Sequence, residues 1–142
     1  MKKPEPVART RTAGRHRLPA DVARVILAAQ DKKARDVIVL DLRKTSAFTD
    51  IFIICTGQNV RQVRAIVDAV REALRARGVG PAHVEGYERA EWVLMDFFDF
   101  IVHVFTPETR SFYSLERLWG QAVRVEVPDP EARPGAEAAP RP

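Results

Sequence analysis

Apolar residues recur at helical spacing in three segments of the chain. The first predicted helix begins near Pro19 and extends to Lys33, and the longest follows Asn59 and ends at Gly78. A third helix begins at Pro107, since proline is favoured in a first helical turn. The apolar faces of the three helices comprise Val22, Val25, Ile26 and Ala29; Val60, Val63, Ile66, Val67, Val70 and Leu74; and Phe112, Leu115, Leu118 and Trp119.

Short apolar runs bounded by polar turns predict strands between these helices. Strands are predicted at Asp36–Leu42, Asp50–Thr56 and Ala82–Glu85, with two more within residues 92–105. The alternating segment Val123–Val127 either extends the sheet or leaves it. Because helices separate groups of strands, the order predicts a mixed sheet in an α/β or α+β domain.

Residues 92–105 predict a β-hairpin with one apolar and one mixed face. A two-residue loop at positions 97 and 98 sets the register of the two strands. The mixed face then pairs Trp92 with His103, Leu94 with Ile101, and Asp96 with Asp99. The opposite face carries only Val93, Met95, Phe100 and Val102. This asymmetry predicts a sheet with one face packed on helices and the other available for binding.

Composition divides the 142 residues into one folded domain and two tails. Residues 1–17 and 128–142 hold seven of the ten prolines and few of the apolar residues that would offset the entropy of ordering. We therefore predict a disordered basic tail at 1–17, a folded domain at 18–127 and a disordered proline-rich tail at 128–142.

Charge is distributed unevenly along the chain. The net charge is +4, of which the front tail contributes +5 and the back tail −1, and this leaves the folded domain neutral. Within the domain, residues 18–80 carry eleven basic and seven acidic side chains, and residues 81–127 carry four and eight. The acidic part contains the hairpin. A basic protein surface therefore suits it better than nucleic acid, whose phosphates it would repel.

The single cysteine, Cys55, excludes an internal disulfide and fits a reducing compartment such as the cytoplasm. Its position in an apolar strand favours a small buried core residue over a reactive thiol. The longest uninterrupted apolar run, Ile51–Cys55, is too short to span a membrane. No apolar stretch follows the basic tail, so the chain is not predicted to be secreted.

The polar residues do not form a recognisable catalytic or metal site. His83 and His103 lack cysteine partners at ligand spacing, and we predict no metal and no other cofactor. Asp96 and Asp99 could support acid–base chemistry, although two turn-forming aspartates are the simpler interpretation. The sequence contains no Gly-x-Ser-x-Gly motif, and Thr56-Gly57 lacks the further glycine and lysine of a phosphate-binding loop. The chain is therefore not predicted to be an enzyme.

Two interpretations are open for each polar or aromatic residue of the hairpin. Trp92 is either a partly buried core residue or the anchor of a protein interface, and it follows the charged segment 85–91. His103 is either a hydrogen-bonded structural residue or a functional one. Phe97 and Phe98 are unusual in a turn, and we expect them to pack on a neighbour, either a second copy or a partner.

Several segments together resemble the ribosomal silencing factor family, also called the Iojap or YbeB family. They are Thr49–Gly57, Val84–Gly86, Trp92, Asp96–Asp99 with Ile101–Val104, and Tyr113–Trp119. The resemblance covers about Asp21 to Gly120 in one register, which is essentially the whole domain. Phe98 departs from it, because family members often have glycine at this tip.

The resemblance implies a non-catalytic protein with a mixed sheet of about five strands flanked by helices. This topology is nucleotidyltransferase-like but lacks the catalytic acids. The implied partner is the large ribosomal subunit, bound through its fourteenth ribosomal protein, so that joining with the small subunit is blocked and translation is repressed. The resemblance also implies a role in large-subunit maturation, and homodimers occur in the family.

The residues and the resemblance together predict a partner-binding site in the acidic part of the domain. We hypothesise that an anchor oriented by a histidine is joined by polar contacts: Trp92, His103, Asp96, Asp99, Tyr113 and Glu116. An alternative is a nucleotidyltransferase-like protein that binds a nucleotide near Thr56-Gly57. The basic tail either contacts ribosomal RNA through its phosphates or serves only solubility.

Overall fold

The computed structural model describes residues 10–12, 18–45 and 49–130. In chain order the elements are β1 (Thr10–Thr12), α1 (Ala20–Asp31), β2 (Arg35–Asp41), β3 (Ile51–Thr56), α2 (Val60–Arg75), β4 (His83–Glu85), β5 (Trp92–Asp96), β6 (Phe100–Phe105), α3 (Pro107–Tyr113), α4 (Leu115–Leu118) and β7 (Val123–Glu126). None of the helices in these described ranges has the length and apolar character needed to cross a membrane.

One mixed sheet contains all of these strands, in the order β1-β7-β2-β3-β6-β5-β4. The β3–β6 and β1–β7 pairs are parallel, and the other neighbouring pairs are antiparallel. The predicted mixed α/β sheet is confirmed. It has seven strands instead of about five, because β7 extends it beyond β2 and β1 then pairs with β7.

The apolar face of the β5–β6 hairpin packs beneath α1 and α2, as the alternation of its side chains predicted. The side chains buried in this layer include Val22, Val25, Val63, Ile66, Val67, Val70, Val93, Met95, Val102 and Val104. Full burial of one such side chain stabilises the fold by about 1.5–3 kcal/mol. This layer is therefore the main core of the domain.

On the opposite face of the sheet, the chain from α3 to β7 provides only partial cover. Leu115 of α4 and the following Ala122 are buried there against Leu40. Phe52 of β3 meets Trp119 edge to face, with the ring centroids 5.8 Å apart. The cover does not extend over the whole face, and Trp92 at the start of β5 stays partly exposed.

The hairpin register differs by two residues from the predicted one. Trp92 lies opposite Phe105, and Leu94 lies opposite His103. Asp96 lies opposite Ile101, so the predicted pairing of Asp96 with Asp99 is wrong. Strand side chains alternate with period two, and a shift of two residues keeps every side chain on its face. The predicted faces are thus correct although the predicted pairs are not.

Residues 97–99 connect β5 to β6, and Phe97 stays on the buried face that Val93 and Met95 occupy. The Phe97 ring is buried and stacks on Phe100 with centroids 5.1 Å apart. Phe98 takes a left-handed backbone conformation with φ of 76° and is 73% exposed. A left-handed residue is common in hairpin loops of this length, where glycine usually supplies it. The prediction that the loop consists of positions 97 and 98 alone is therefore wrong.

The predicted third helix is divided into two short ones. Ser114, with φ of 44° and ψ of 51°, separates α3 from α4. This left-handed residue breaks the helical period, so Phe112 and Leu118 do not share one buried face with Leu115. The prediction of a continuous apolar side is therefore wrong.

Little of the two predicted tails is described. The backbone of Thr10–Thr12 forms an edge strand, which lies within the segment predicted to be disordered. At the other end, Gln30 Nε2 donates to the carbonyl oxygen of Pro128 at 3.0 Å, and Arg35 pairs with Asp129 at 3.3 Å. Residues 1–9, 13–17 and 131–142 lie outside the described residues, so their disorder stays a prediction.

Candidate functional site

The best-defined polar contact on the partly covered face joins two strands of the hairpin. The indole Nε1 of Trp92 donates a hydrogen bond to Nδ1 of His103 at 3.1 Å. His103 is only 3% exposed, and burial lowers its pKa to about 3. The imidazole is therefore neutral near pH 7. Because Nδ1 accepts a hydrogen bond, the proton lies on Nε2.

His103 is held by aromatic rings as well as by this hydrogen bond. The centroid of its ring lies 4.7 Å from that of Phe52 in an edge-to-face contact, and 6.2 Å from that of Phe105. No residue in the described part of the chain accepts a hydrogen bond from its buried Nε2. The structural interpretation of His103 accounts for its burial and its contact with Trp92, and the ring provides a fixed support for the indole.

Trp92 combines features of both interpretations of its role. Its ring stacks on Phe105 with centroids 5.0 Å apart and contacts Tyr113 at 4.7 Å. One part of the indole thus packs on the core, while the remainder is accessible beside α3. A rigid, partly exposed tryptophan with a fixed orientation is typical of an interface anchor.

An exposed apolar patch continues from Trp92 along α3 and α4. Phe112 is 79% exposed, Leu118 is 71% exposed and Tyr113 is 49% exposed. The rings of Phe112 and Tyr113 meet edge to face with centroids 4.9 Å apart. We call Trp92, Phe112, Tyr113 and Leu118 the docking patch. Sequence reasoning assigned Phe112 and Leu118 to a buried helix face, since it could not foresee the break at Ser114.

Glu116 faces inwards instead of joining the docking patch. Its Oε2 accepts a hydrogen bond from Arg110 Nε at 3.2 Å, and its side chain is 18% exposed. The other carboxylate oxygen, Oε1, is buried without a hydrogen-bond partner among the described residues. Glu116 is consequently oriented to hold α4 against α3, and it presents little surface to a partner.

The two aspartates of the hairpin lie far from the docking patch. Asp96 Oδ1 accepts a hydrogen bond from the backbone N–H of Phe98 at 2.8 Å, which is a turn-forming role. Asp99 is exposed in the loop. Asp96 ends β5 and Trp92 begins it, so the two lie roughly 13 Å apart along the strand. The structure brings together Trp92, His103 and Tyr113 and places Asp96 and Asp99 at the other end of the sheet.

The Thr56-Gly57 turn, considered above for phosphate binding, is explained by packing. A Cβ atom on Gly57 would lie 3.0 Å from both Cγ2 and the backbone nitrogen of Val63. Glycine is therefore needed where α2 approaches the end of β3. Thr56 Oγ1 accepts a hydrogen bond from Arg110 Nη1 at 2.8 Å. The residues of the turn thus have structural roles.

Two further observations concern reactive groups. Burial raises the pKa of the Cys55 thiol to about 12, so the thiolate needed for nucleophilic or metal chemistry is not formed near neutral pH. The prediction of a buried core cysteine is confirmed. Within residues 18–45 and 49–130, no three His, Cys, Asp or Glu side chains are grouped as a metal site would require.

Comparison with known proteins assigns the chain to one family. The family model described as "Ribosomal silencing factor during starvation" matches residues 15–142. The chain belongs to the ribosomal silencing factor family. The ribosomal silencing factor of Halalkalibacterium halodurans is 42% identical over 100 residues, which cover 70% of this chain and 86% of that protein.

Other members of the silencing factor family are similar in sequence or in structure. A crystal structure of a Chromobacterium violaceum protein has a TM-score of 0.70 at 37% identity, covering 74% of this chain and 88% of that one. The mouse protein named "Mitochondrial assembly of ribosomal large subunit protein 1" is 31% identical over 127 residues, covering 80% of this chain and 56% of that protein. The resemblance inferred from sequence segments is confirmed.

Proposed function

We propose that this silencing factor binds the large ribosomal subunit through its fourteenth ribosomal protein and prevents joining with the small subunit. The observation that supports the proposal is the docking patch, in which Trp92 is fixed by His103 and flanked by exposed Phe112, Tyr113 and Leu118. Isolated exposed apolar residues are ordinary on a protein surface. A rigid tryptophan flanked by exposed aromatic and apolar side chains is typical of the centre of a protein interface.

The charge around the patch favours a basic partner. Glu91 precedes Trp92, and Glu108 lies in the first turn of α3; both side chains are exposed. They belong to the acidic part of the domain, residues 81–127, although Asp96 and Asp99 of that part lie at the other end of the sheet. A basic ribosomal protein would be attracted to this surface during encounter, and the apolar patch would then supply affinity that salt does not screen.

The proposed mechanism is steric and needs no chemical step. A bound domain on the subunit-joining surface occupies space that the small subunit requires, so translation is repressed while the complex lasts. A role in large-subunit maturation follows from the same binding event. The mouse relative, which is named for mitochondrial large-subunit assembly, supports that role. On this account the protein acts in the cytoplasm as a binding protein and not as an enzyme.

The proposal is tested by replacing Tyr113 with alanine and measuring affinity for the purified fourteenth large-subunit protein by titration calorimetry. Tyr113→Ala should weaken binding by at least about tenfold, because a central aromatic contact is typically worth more than about 1.4 kcal/mol. Leu27→Ala is the matched control. Leu27 is also exposed, at 67%, but it lies on α1, on the other side of the sheet.

Both variants should keep the unfolding temperature of the parent protein within a few degrees, since both remove exposed side chains. Equal affinities for parent, Tyr113→Ala and Leu27→Ala would contradict the assigned surface. No heat of binding with the parent protein would contradict the proposed partner.

A further inference from the structure

Arg110 of α3 is a largely buried arginine that links four elements of the fold. Its Nη1 donates to the backbone oxygen of Asp36 at 2.7 Å and to Oγ1 of Thr56 at 2.8 Å. Its Nε donates to Glu116 Oε2 at 3.2 Å, and its side chain is only 12% exposed. One guanidinium group therefore ties α3 to the start of β2, the end of β3, and α4.

The segment from α3 to α4 has few other anchors. α3 has seven residues and buries no apolar side chain, whereas α4 has four residues and buries only Leu115. Helices this short are not stable in isolation, because helix nucleation is unfavourable and propagation adds little. Tertiary contacts must therefore hold the segment in place.

The break between the two helices increases this dependence. Ser114 occupies the left-handed region, which is unfavourable for a residue with a Cβ atom. Its backbone N–H donates to the carbonyl oxygen of Arg110 at 2.8 Å, and its Oγ donates to the carbonyl oxygen of Ser111 at 2.9 Å. Arg110 thus contacts the turn through its backbone and the underlying strands through its side chain.

We infer that Arg110 is a positioning residue for the docking patch. The contacts of its guanidinium group fix α3 and α4 in the orientation that binds the partner. The inference rests on the proposed function. Arg110 itself is shielded from a partner, but it fixes the helix that carries Phe112 and Tyr113. Through Glu116 it also fixes the helix that carries Leu118. Glu116, predicted from the sequence as a partner contact, belongs to this positioning network.

A charge-exchange variant separates a simple ion pair from the proposed role. Exchanging the two charges (Arg110→Glu with Glu116→Arg) can restore the ion pair between α3 and α4. It cannot restore donation to the Asp36 carbonyl and to Thr56, since carboxylate oxygens only accept. Arg110→Lys keeps the charge but lacks the planar fork that reaches several acceptors at once. Both the charge-exchange variant and Arg110→Lys should therefore bind the large subunit more weakly than the parent protein does.

A double-mutant cycle with Tyr113 tests whether Arg110 acts through the patch. Affinity for the large ribosomal subunit is measured for the parent protein, Arg110→Gln, Tyr113→Ala and the double variant. Arg110→Gln should weaken binding about tenfold in the parent background and by only about threefold when Tyr113 is already alanine, because Phe112 and Leu118 still depend on Arg110. Its effect on the unfolding temperature should be the same in both backgrounds. A purely structural role would give that thermal effect without the coupling in affinity.

Arg75→Gln, at the exposed C-terminal end of α2, serves as the control. It should leave the affinity unchanged both in the parent protein and in Tyr113→Ala. Independent losses in the cycle, parent-like binding of Arg110→Gln, or full recovery in the charge-exchange variant would each overturn the inference.

The free protein provides a second readout that does not depend on the ribosome. In ¹H–¹⁵N spectra, Arg110→Gln should shift the amide signals of residues 107–119 and the Trp92 indole signal while leaving those of α2 in place. If the parent protein fails to bind the large subunit, the proposed function fails, and these spectra still decide whether Arg110 positions the patch. Unchanged signals from residues 107–119 would overturn the inference by themselves.

Discussion

At the scale of single residues, the hydrogen bond between Trp92 and His103 fixes the orientation of the indole on the partly covered face. The indole can only donate, so the imidazole must accept and must remain neutral to do so. Sequence reasoning placed both residues on this face and proposed that His103 orients Trp92. It had them directly opposite, whereas the contact is diagonal, since Leu94 lies opposite His103. A diagonal contact depends on side-chain rotamers, which strand periodicity does not specify.

The buried imidazole predicts a pH dependence of stability. The pKa of His103 falls to about 3 in the folded protein, from an ordinary value of 6.5. Between these values the unfolded chain binds more protons than the folded one, so the free energy of unfolding decreases as pH falls. The contribution is full above about pH 6.5 and is lost at up to about 1.4 kcal/mol per pH unit below it.

Urea denaturation at pH 6.5 and at pH 4.5 measures this dependence. His103→Gln should show a smaller loss of unfolding free energy between the two pH values than the parent protein. Val102→Ala is the control, because Val102 is also buried in β6 but cannot titrate, so the variant should keep the parent's pH dependence. An equal loss in His103→Gln and in the parent would contradict the account of the buried imidazole.

At the scale of elements, periodicity predicted the helices, the strands and the faces of the hairpin. It failed at two places, one with an unexpected side-chain contact and one with an unexpected backbone conformation. Burial of Phe97 against Phe100 lengthened the loop and shifted the register, although this ring was expected at an exposed tip. The left-handed Ser114 divided the last helix and exposed Phe112. Phenylalanine is not a usual turn former, so local propensity did not signal the first departure, whereas serine is common in turns and the break at Ser114 was overlooked.

The hairpin tip gives a prediction at this scale. Phe98 has φ of 76° and an exposed ring, so it carries backbone strain with little burial to offset it. Phe98→Gly should raise the free energy of unfolding by about 0.5–1 kcal/mol, after allowance for the greater flexibility of glycine in the unfolded chain.

Thermal unfolding of Phe98→Gly and Phe98→Ala separates strain from side-chain loss. The alanine variant keeps the Cβ atom and the strain, so its unfolding temperature should not rise. If both variants unfold at the same temperature, strain at the tip does not limit stability.

At the scale of the whole molecule, the sheet separates the main core from the face on which we propose that the partner binds. α1 and α2 bury most of one face, whereas the α3–α4 segment covers only part of the other and carries the docking patch. The sequence defined the two faces without ranking them. Placement of the chain after β6 shows which face is only partly covered, and this is the face that we propose for binding. The role of the basic front segment and the formation of homodimers stay predictions.

We propose above that this face of the protein binds the large ribosomal subunit. Co-sedimentation with separated ribosomal subunits tests whether that binding occurs. The purified protein would be centrifuged with small or large subunits at low and at physiological salt. We predict pelleting with the large subunit alone, with little loss at physiological salt, because apolar contacts at the docking patch are not screened. Failure to pellet, or equal pelleting with both subunits that disappears as salt is raised, would contradict the account.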